Sequence, residues 1–139
     1  MLKQHRKLNQ SNRAGTTAVE FAVVAPIFFL FVIAVIDFGR MNILRHTADN
    51  AAYEAARHAM VPGATAAEAI SEANSILSAV GTVGSTVTVN PPVLDLSVDE
   101  ITVTVAIPMN QNAWIAPHFT ANKTIRGSST LRTERVPGN

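Results

Sequence analysis

The chain has 139 residues, of which 47% are hydrophobic and only 15% charged, well below the roughly 25% charged that is typical of soluble domains. Eleven Lys and Arg face ten Asp and Glu, a formal net charge of +1, which excludes a strong global attraction to nucleic acid. With no cysteine there is no disulfide, no thiolate metal site and no cysteine nucleophile. The size suits a single domain of about 100–150 residues. The average conceals a division. Lys3, Arg6, Lys7 and Arg13 have no acid among them, Ala14–Ile36 carries only Glu20, and the remainder holds seven basic and nine acidic residues.

Thr17–Ile36 is a run of twenty residues whose one charge is Glu20. Twenty helical residues rising about 1.5 Å each cover the ~30 Å hydrocarbon core of a bilayer. The run is too long for a buried strand. A buried soluble helix is the competing reading, and the length favours a membrane span. The basic tail, against the mixed Asp37, Arg40 and Arg45 on the other flank, sets the N-terminus in the cytoplasm and the body outside. A cleavable secretory signal needs small residues just after the run, and Ile36-Asp37-Phe38-Gly39-Arg40 does not supply them. The segment reads as an uncut signal anchor, or as one cut ahead of the apolar run.

Glu20 is the anomaly. A carboxylate at mid-membrane costs about 2.5–3.5 kcal/mol, and less near the interface. Glu20 stands one turn inside the run, so it either snorkels to water or meets a neutralising partner. Gly15 precedes it by five residues. A cut between Gly15 and Thr16 would place a new α-amine at i, i+4 to the carboxylate, where the two can neutralise one another on one helix or across two. The cut chain would hold seven basic and ten acidic residues, a net charge of −3. Pro26 removes one helix hydrogen bond and disfavours helical geometry at Ala25, which spanning helices tolerate with a kink. A passive kink and a bend that serves packing with other subunits are both open.

The basic leader, Gly15, Glu20 and the apolar helix that follows at once resemble a type IV prepilin signal. Thr16-Thr17-Ala18-Val19-Glu20-Phe21-Ala22-Val23-Val24-Ala25-Pro26 is similar to the opening of TadE-like minor pseudopilins of tight-adherence (Flp) pilus systems, and Ser129-Thr130-Leu131-Arg132-Thr133-Glu134 is similar to that family's closing strand. The resemblance implies cleavage at Gly15–Thr16 by a prepilin peptidase, with N-methylation of Thr16 as an option. It assigns peptidase recognition and assembly to Glu20, Phe21 and Pro26, and orientation to Lys3, Arg6, Lys7 and Arg13. The implied partners are the prepilin peptidase, other pilin or pseudopilin subunits, an inner-membrane assembly platform and the lipid bilayer. The implied location is a bacterial inner membrane, crossed once, with the body periplasmic.

Beyond the run, Phe38, Met41, Leu44, Ala48, Ala51, Ala52, Ala55 and Ala59 recur at three- and four-residue intervals, which predicts that the helix continues to about Met60 with one apolar face. Arg40, Asn42, Arg45, Asp49 and Asn50 fall opposite. The stripe covers either the chain's own sheet, the favoured reading, or a helix–helix seam. Arg45–Asp49, Glu54–His58 and Glu54–Arg57 have the spacing of helix-surface pairs. Val61-Pro62-Gly63 ends the helix. Thr65-Ala66-Ala67-Glu68 has the pattern of a capping box and opens a second helix to about Val80, with Ala66, Ala69, Ile70, Ala73, Ile76, Leu77 and Val80 on its apolar face. From Ser85 the period becomes two: Val87 and Val89, then Leu94, Leu96 and Val98, then Ile101, Val103, Val105 and Ile107, each set alternating with polar or small residues. Met109–Asn122 reads as a loop and Thr124–Val136 as a last strand. The expected fold is α+β and pilin-like: a long N-terminal membrane-spanning helix extending into the ectodomain, a second short helix, and a three- or four-stranded antiparallel sheet with one face on the helices. The divisions are a leader at 1–15, a transmembrane and assembly helix at 16–36, and an exported domain at 37–139.

Catalytic signals are weak. His46, His58 and His118 lack metal-site spacing with a third ligand, and Gly81-Thr82-Val83-Gly84-Ser85 lacks the lysine of a phosphate loop. Asp95, Asp99 and Glu100 lack the pattern of a calcium loop. Trp114 and Phe119 mark either a cap on the core or an interaction patch. The leading reading is a non-enzymatic minor pilin or pseudopilin, processed by a prepilin peptidase and acting in assembly of a tight-adherence pilus, with no cofactor, nucleic acid or small-molecule substrate. The alternative is an uncleaved single-pass membrane adaptor whose exported domain binds partners. A membrane-tethered enzyme would need a convergent site, such as His118 with Asp95, Asp99 or Glu100.

Overall fold

The computed structural model describes residues 5–95, 97–113 and 122–132. Lys3, Leu96, Trp114, Ile115, Pro117, His118 and Phe119, and the end of the predicted last strand at residues 133–136, lie outside the described residues. The described elements are a helix α1 (His5–Ala59), a helix α2 (Ala66–Ala79), strands β1 (Thr86–Asn90) and β2 (Glu100–Pro108), a single 3₁₀ turn at Met109–Gln111, and strand β3 (Thr124–Arg132). The chain is therefore α+β, with a three-stranded antiparallel sheet in the order β1-β2-β3. It divides into two units, Met1–Ile36 and Asp37–Asn139.

In the first unit the described chain is helix alone, and it is already helical from His5, ten residues ahead of Gly15. Pro26 lies within this helix, which continues through it.

The second unit holds the core. Strand β2 is central and alternates as its sequence predicts: Ile101, Val103, Val105 and Ile107 are buried, while Thr102, Thr104 and Ala106 between them are partly exposed. The same cluster takes Leu44, Ala48, Ala51, Ala52, Ala55, Ala56 and Ala59 from α1, and Ala69, Ala73 and Leu77 from α2. The alanine stripe of α1 is thus covered by the chain's own core. Phe38 departs from the expected stripe, being 70% exposed. Arg40, which the spacing places opposite the stripe, is half-buried, and its Nη1 donates to the carbonyl of Val80 at 3.0 Å. That carbonyl is at the C-cap of α2, where a cation meets the negative end of the helix dipole.

Helix α2 begins with the predicted capping box. Thr65 Oγ1 accepts from the Glu68 amide at 3.2 Å, and the Thr65 amide donates to Glu68 Oε2 at 2.8 Å. These bonds hold the Glu68 carboxyl below the usual glutamate value, the backbone bond from Thr65 contributing most. At the other end Gly81 adopts φ +66°, the left-handed conformation that closes a helix without steric penalty. Thr82 then returns to the Leu77 carbonyl through its amide at 3.2 Å and its hydroxyl at 2.8 Å.

Of the segment 94–98, the described residues Leu94, Asp95, Ser97 and Val98 are not in the extra strand that the alternation suggests. The Asp95 carboxylate accepts from the Ser97 amide at 2.8 Å, and the Val98 amide donates to the Asp95 carbonyl at 3.3 Å. A local side-chain bond to the backbone has displaced ladder pairing. Leu94 and Val98 still pack on the core.

Two long-range features complete the sheet. Gly127 of β3 pairs with Val105, and a Cβ built on it would stand 2.5 Å from the Ala48 carbonyl carbon and 2.6 Å from the Asp49 nitrogen. Strand and helix meet there backbone to backbone. Asn112, only 2% exposed, locks the chain after β2 to the chain before β1. Its Oδ1 accepts from the Val83 amide at 2.9 Å, and its Nδ2 donates to the carbonyls of Val83 at 2.8 Å and Pro108 at 2.7 Å. The opposite face of the sheet is polar, with Thr102 against Thr130 at 2.8 Å and Thr104 against Ser128 at 3.2 Å.

Gly127→Ala forces main chain apart, since neither neighbouring atom belongs to a movable side chain. The expected loss is about 1–3 kcal/mol, seen as a fall in Tm of roughly 5–15 °C by circular dichroism in detergent. The Glu68 bonds predict a pH effect of defined sign. Because folding lowers this pKa, the stabilisation is present above the unfolded glutamate value and is lost as pH falls through the lower folded value. The Tm difference between the native chain and Glu68→Gln should shrink on acidification through that window and stay constant above it.

Candidate functional site

Within Met1–Ile36 every large apolar side chain from Val19 to Ile36 is exposed. Phe21 is 71%, Phe29 60%, Leu30 67% and Phe31 67% exposed, and at 3.6 residues per turn these four point to different sides of the helix, so the surface is apolar all round. Leaving one such side chain in water forgoes about 1.5–3 kcal/mol, and the whole chain has only about 5–15 kcal/mol of stability to draw on. A surface of this kind is therefore matched to lipid or to other helices. The helix from Gly15 onward is long and apolar enough to cross a membrane. Phe28 and Phe29 meet edge to face, with ring centroids 5.7 Å apart.

Glu20 is exposed on this surface, one turn beyond the Gly15–Thr16 bond, and that bond lies inside continuous helix. Thr16 and Glu20 stand at i, i+4 on one face. A Cβ on Gly15 would meet nothing within 4 Å, so this glycine is not required by packing in the single chain. The nearest basic residues along the sequence are Arg13 and Arg40. Arg13 is seven residues from Glu20, about 10 Å along a helix. No cation of the apolar segment itself can neutralise Glu20, because the segment has none.

The structure brings Gly15, Thr16, Glu20, Phe21 and Pro26 onto one helix, together with the backbone of Arg6, Lys7 and Arg13. It does not bring the candidate calcium ligands together. Asp95 closes its turn onto Ser97, and Glu100 pairs with Arg132 at 3.3 Å. Among the described residues no group of three or more His, Asp or Glu is placed to hold a metal ion. Of the expected helix-surface pairs, Glu54–Arg57 is made at 3.5 Å.

Every residue of the buried cluster belongs to Asp37–Asn139. A chain beginning at Asp37 should keep its core, so it should melt cooperatively within a few degrees of the full chain in detergent. Loss of the cooperative transition would show that the apolar helix is needed for the body to fold.

No curated protein and no solved structure gives a match. A family model described as TadE-like protein matches residues 15–57, from the glycine before the scissile candidate to two residues short of the end of α1. Over that stretch, less than half of the chain, the sequence is similar to the TadE-like family.

Proposed function

We propose that the protein is a minor pseudopilin, cut between Gly15 and Thr16 by a prepilin peptidase and then assembled through its apolar helix into a tight-adherence pilus. The observation that carries this reading is Glu20. It is the one charge on an otherwise apolar helical surface, and it stands at i, i+4 to the residue that would become the new N-terminus. Cleavage supplies the missing counter-charge. The Thr16 α-amine, of the same chain or of a neighbour, pairs with the Glu20 carboxylate and sets the register in which Phe21 and the following apolar residues pack. Pro26 adds a point at which the helix can bend to meet its neighbours.

Removal of residues 1–15 also discards Lys3, Arg6, Lys7 and Arg13, leaving a mature chain of net charge −3. Those cations first hold the N-terminus at the cytoplasmic face of the inner membrane, with the Asp37–Asn139 unit in the periplasm. Once they are gone, less charge resists withdrawal of the helix from the bilayer into an assembly. Glycine in a helix costs about 0.5–1 kcal/mol relative to alanine, so Gly15 eases the local unwinding that a peptidase needs at this bond. The partners on this reading are the peptidase, other pilin subunits and the inner-membrane assembly platform.

Co-expression with the cognate peptidase should yield a chain whose intact mass lacks residues 1–15, and Gly15→Ala should keep the full mass. Glu20→Ala should reduce co-purification with partner subunits by at least tenfold, on the order of one desolvated charge pair. An unshortened native chain in the presence of active peptidase would overturn the proposal and leave the uncleaved adaptor.

A further inference from the structure

The second unit is acidic as a whole, with seven basic and nine acidic residues, yet its cations are not evenly spread. Arg45, Lys123 and Arg126 border a single open groove of about 610 Å³ between α1 and the start of β3. Among the described residues no acidic one lines it. All three cations are exposed, and none of them has a side-chain hydrogen bond or ion pair among the described residues. The floor is apolar: Phe38 and Met41 come from α1 and Ile125 from β3. The exposure of Phe38, unexpected on a stripe that otherwise enters the core, belongs to this groove.

The groove's place in the chain says what it faces. Phe38 follows Ile36, the last residue of the apolar run, by two positions, and two residues of chain reach at most about 7 Å. Phe38 therefore stands within the interfacial layer that flanks the hydrocarbon core, where aromatic side chains are favoured. Arg45 lies two turns further on, about 10 Å along α1 from Phe38, within snorkelling reach of the headgroup level. An aromatic and aliphatic floor that begins two residues after the apolar run and is rimmed by cations is complementary to one kind of molecule: an anion attached to an apolar tail.

We propose that this groove binds the headgroup of an anionic phospholipid, with Arg45, Lys123 and Arg126 around the phosphate and Phe38 and Met41 against the glycerol and upper acyl chain. Lipid binding here requires a membrane anchor and no cleavage, so it stands apart from the pseudopilin assignment. It gives the body a fixed seat on the bilayer surface through charges that remain after residues 1–15 are removed.

The test uses the full chain in neutral detergent, titrated with phosphatidylglycerol or phosphatidylcholine of equal chain length, with bound lipid counted by native mass spectrometry. The native chain should prefer phosphatidylglycerol by roughly tenfold or more, consistent with several cations near a lipid surface, and the preference should weaken with added salt. The triple variant Arg45→Gln, Lys123→Gln, Arg126→Gln should lose that preference while keeping its Tm. Phe38→Ala should weaken both lipids alike. Neutralising Lys3, Arg6, Lys7 and Arg13 instead should leave the preference in place. The proposal is overturned if the triple variant keeps the preference, if the leader variant alone abolishes it, or if inorganic phosphate displaces the lipid as well as phosphatidylglycerol does.

Discussion

The closest constraint in the body is the approach of α1 to β3. At Ala48–Asp49 the helix backbone stands against Gly127 with no room for a Cβ between them. An approach so close needs a helix face without bulk, and from Ala48 to Ala59 the buried residues of α1 are all alanine. With β3 set against α1, pairing with β2 and then β1 follows from the ladder. The larger side chains of the core, Leu44, Leu77, Ile107, Met109, Val103 and Val105, fill the space around that contact. Alanine and glycine contribute little apolar area of their own. Their effect is to let backbone, sheet and helix come within dispersion range of one another.

One helix serves two solvents. From Leu44 to Ala59 it is amphipathic and buries a stripe in the body. From Val19 to Ile36 it is apolar on every side and buries nothing in its own chain. The change of pattern is the physical statement of a protein that folds at one end and is inserted or assembled at the other. Glu20 has meaning only in the second environment. On a water-facing helix it would be an ordinary exposed acid, whereas on an apolar surface it demands a counter-charge that its own segment lacks.

Charge is distributed to match. On the proposed reading the basic residues ahead of Gly15 serve orientation, Glu20 serves pairing between helices, and Arg45, Lys123 and Arg126 serve the apolar-floored groove. Arg40 has a different task, bonding the Val80 carbonyl and so tying the end of α2 to α1. Of the acids of the body, Glu68 lies in its cap and Glu54 and Glu100 in exposed pairs, where each contributes only modestly.

What the sequence determined by itself is local and periodic. The apolar run with its one acid, the alanine stripe, the Thr65–Glu68 box and the alternation of Ile101–Ile107 are all patterns within a few residues of one another, and each recurs in the structure at its expected place. Where a local rival existed, alternation misled: Leu94–Val98 has the period of a strand, but Asp95 turns the backbone first. Gly127 could have been noticed as a lone glycine inside a strand pattern, the sign of a bulge or a close backbone approach. Its partner at Ala48 could not, because the two are 79 residues apart in sequence. The same holds for Asn112 with Val83, Arg40 with Val80, and the gathering of Phe38 and Arg45 with Lys123 and Arg126. Those contacts are decided by how the sheet docks on α1, and docking depends on the sum of packing across many residues, which no short stretch of sequence contains.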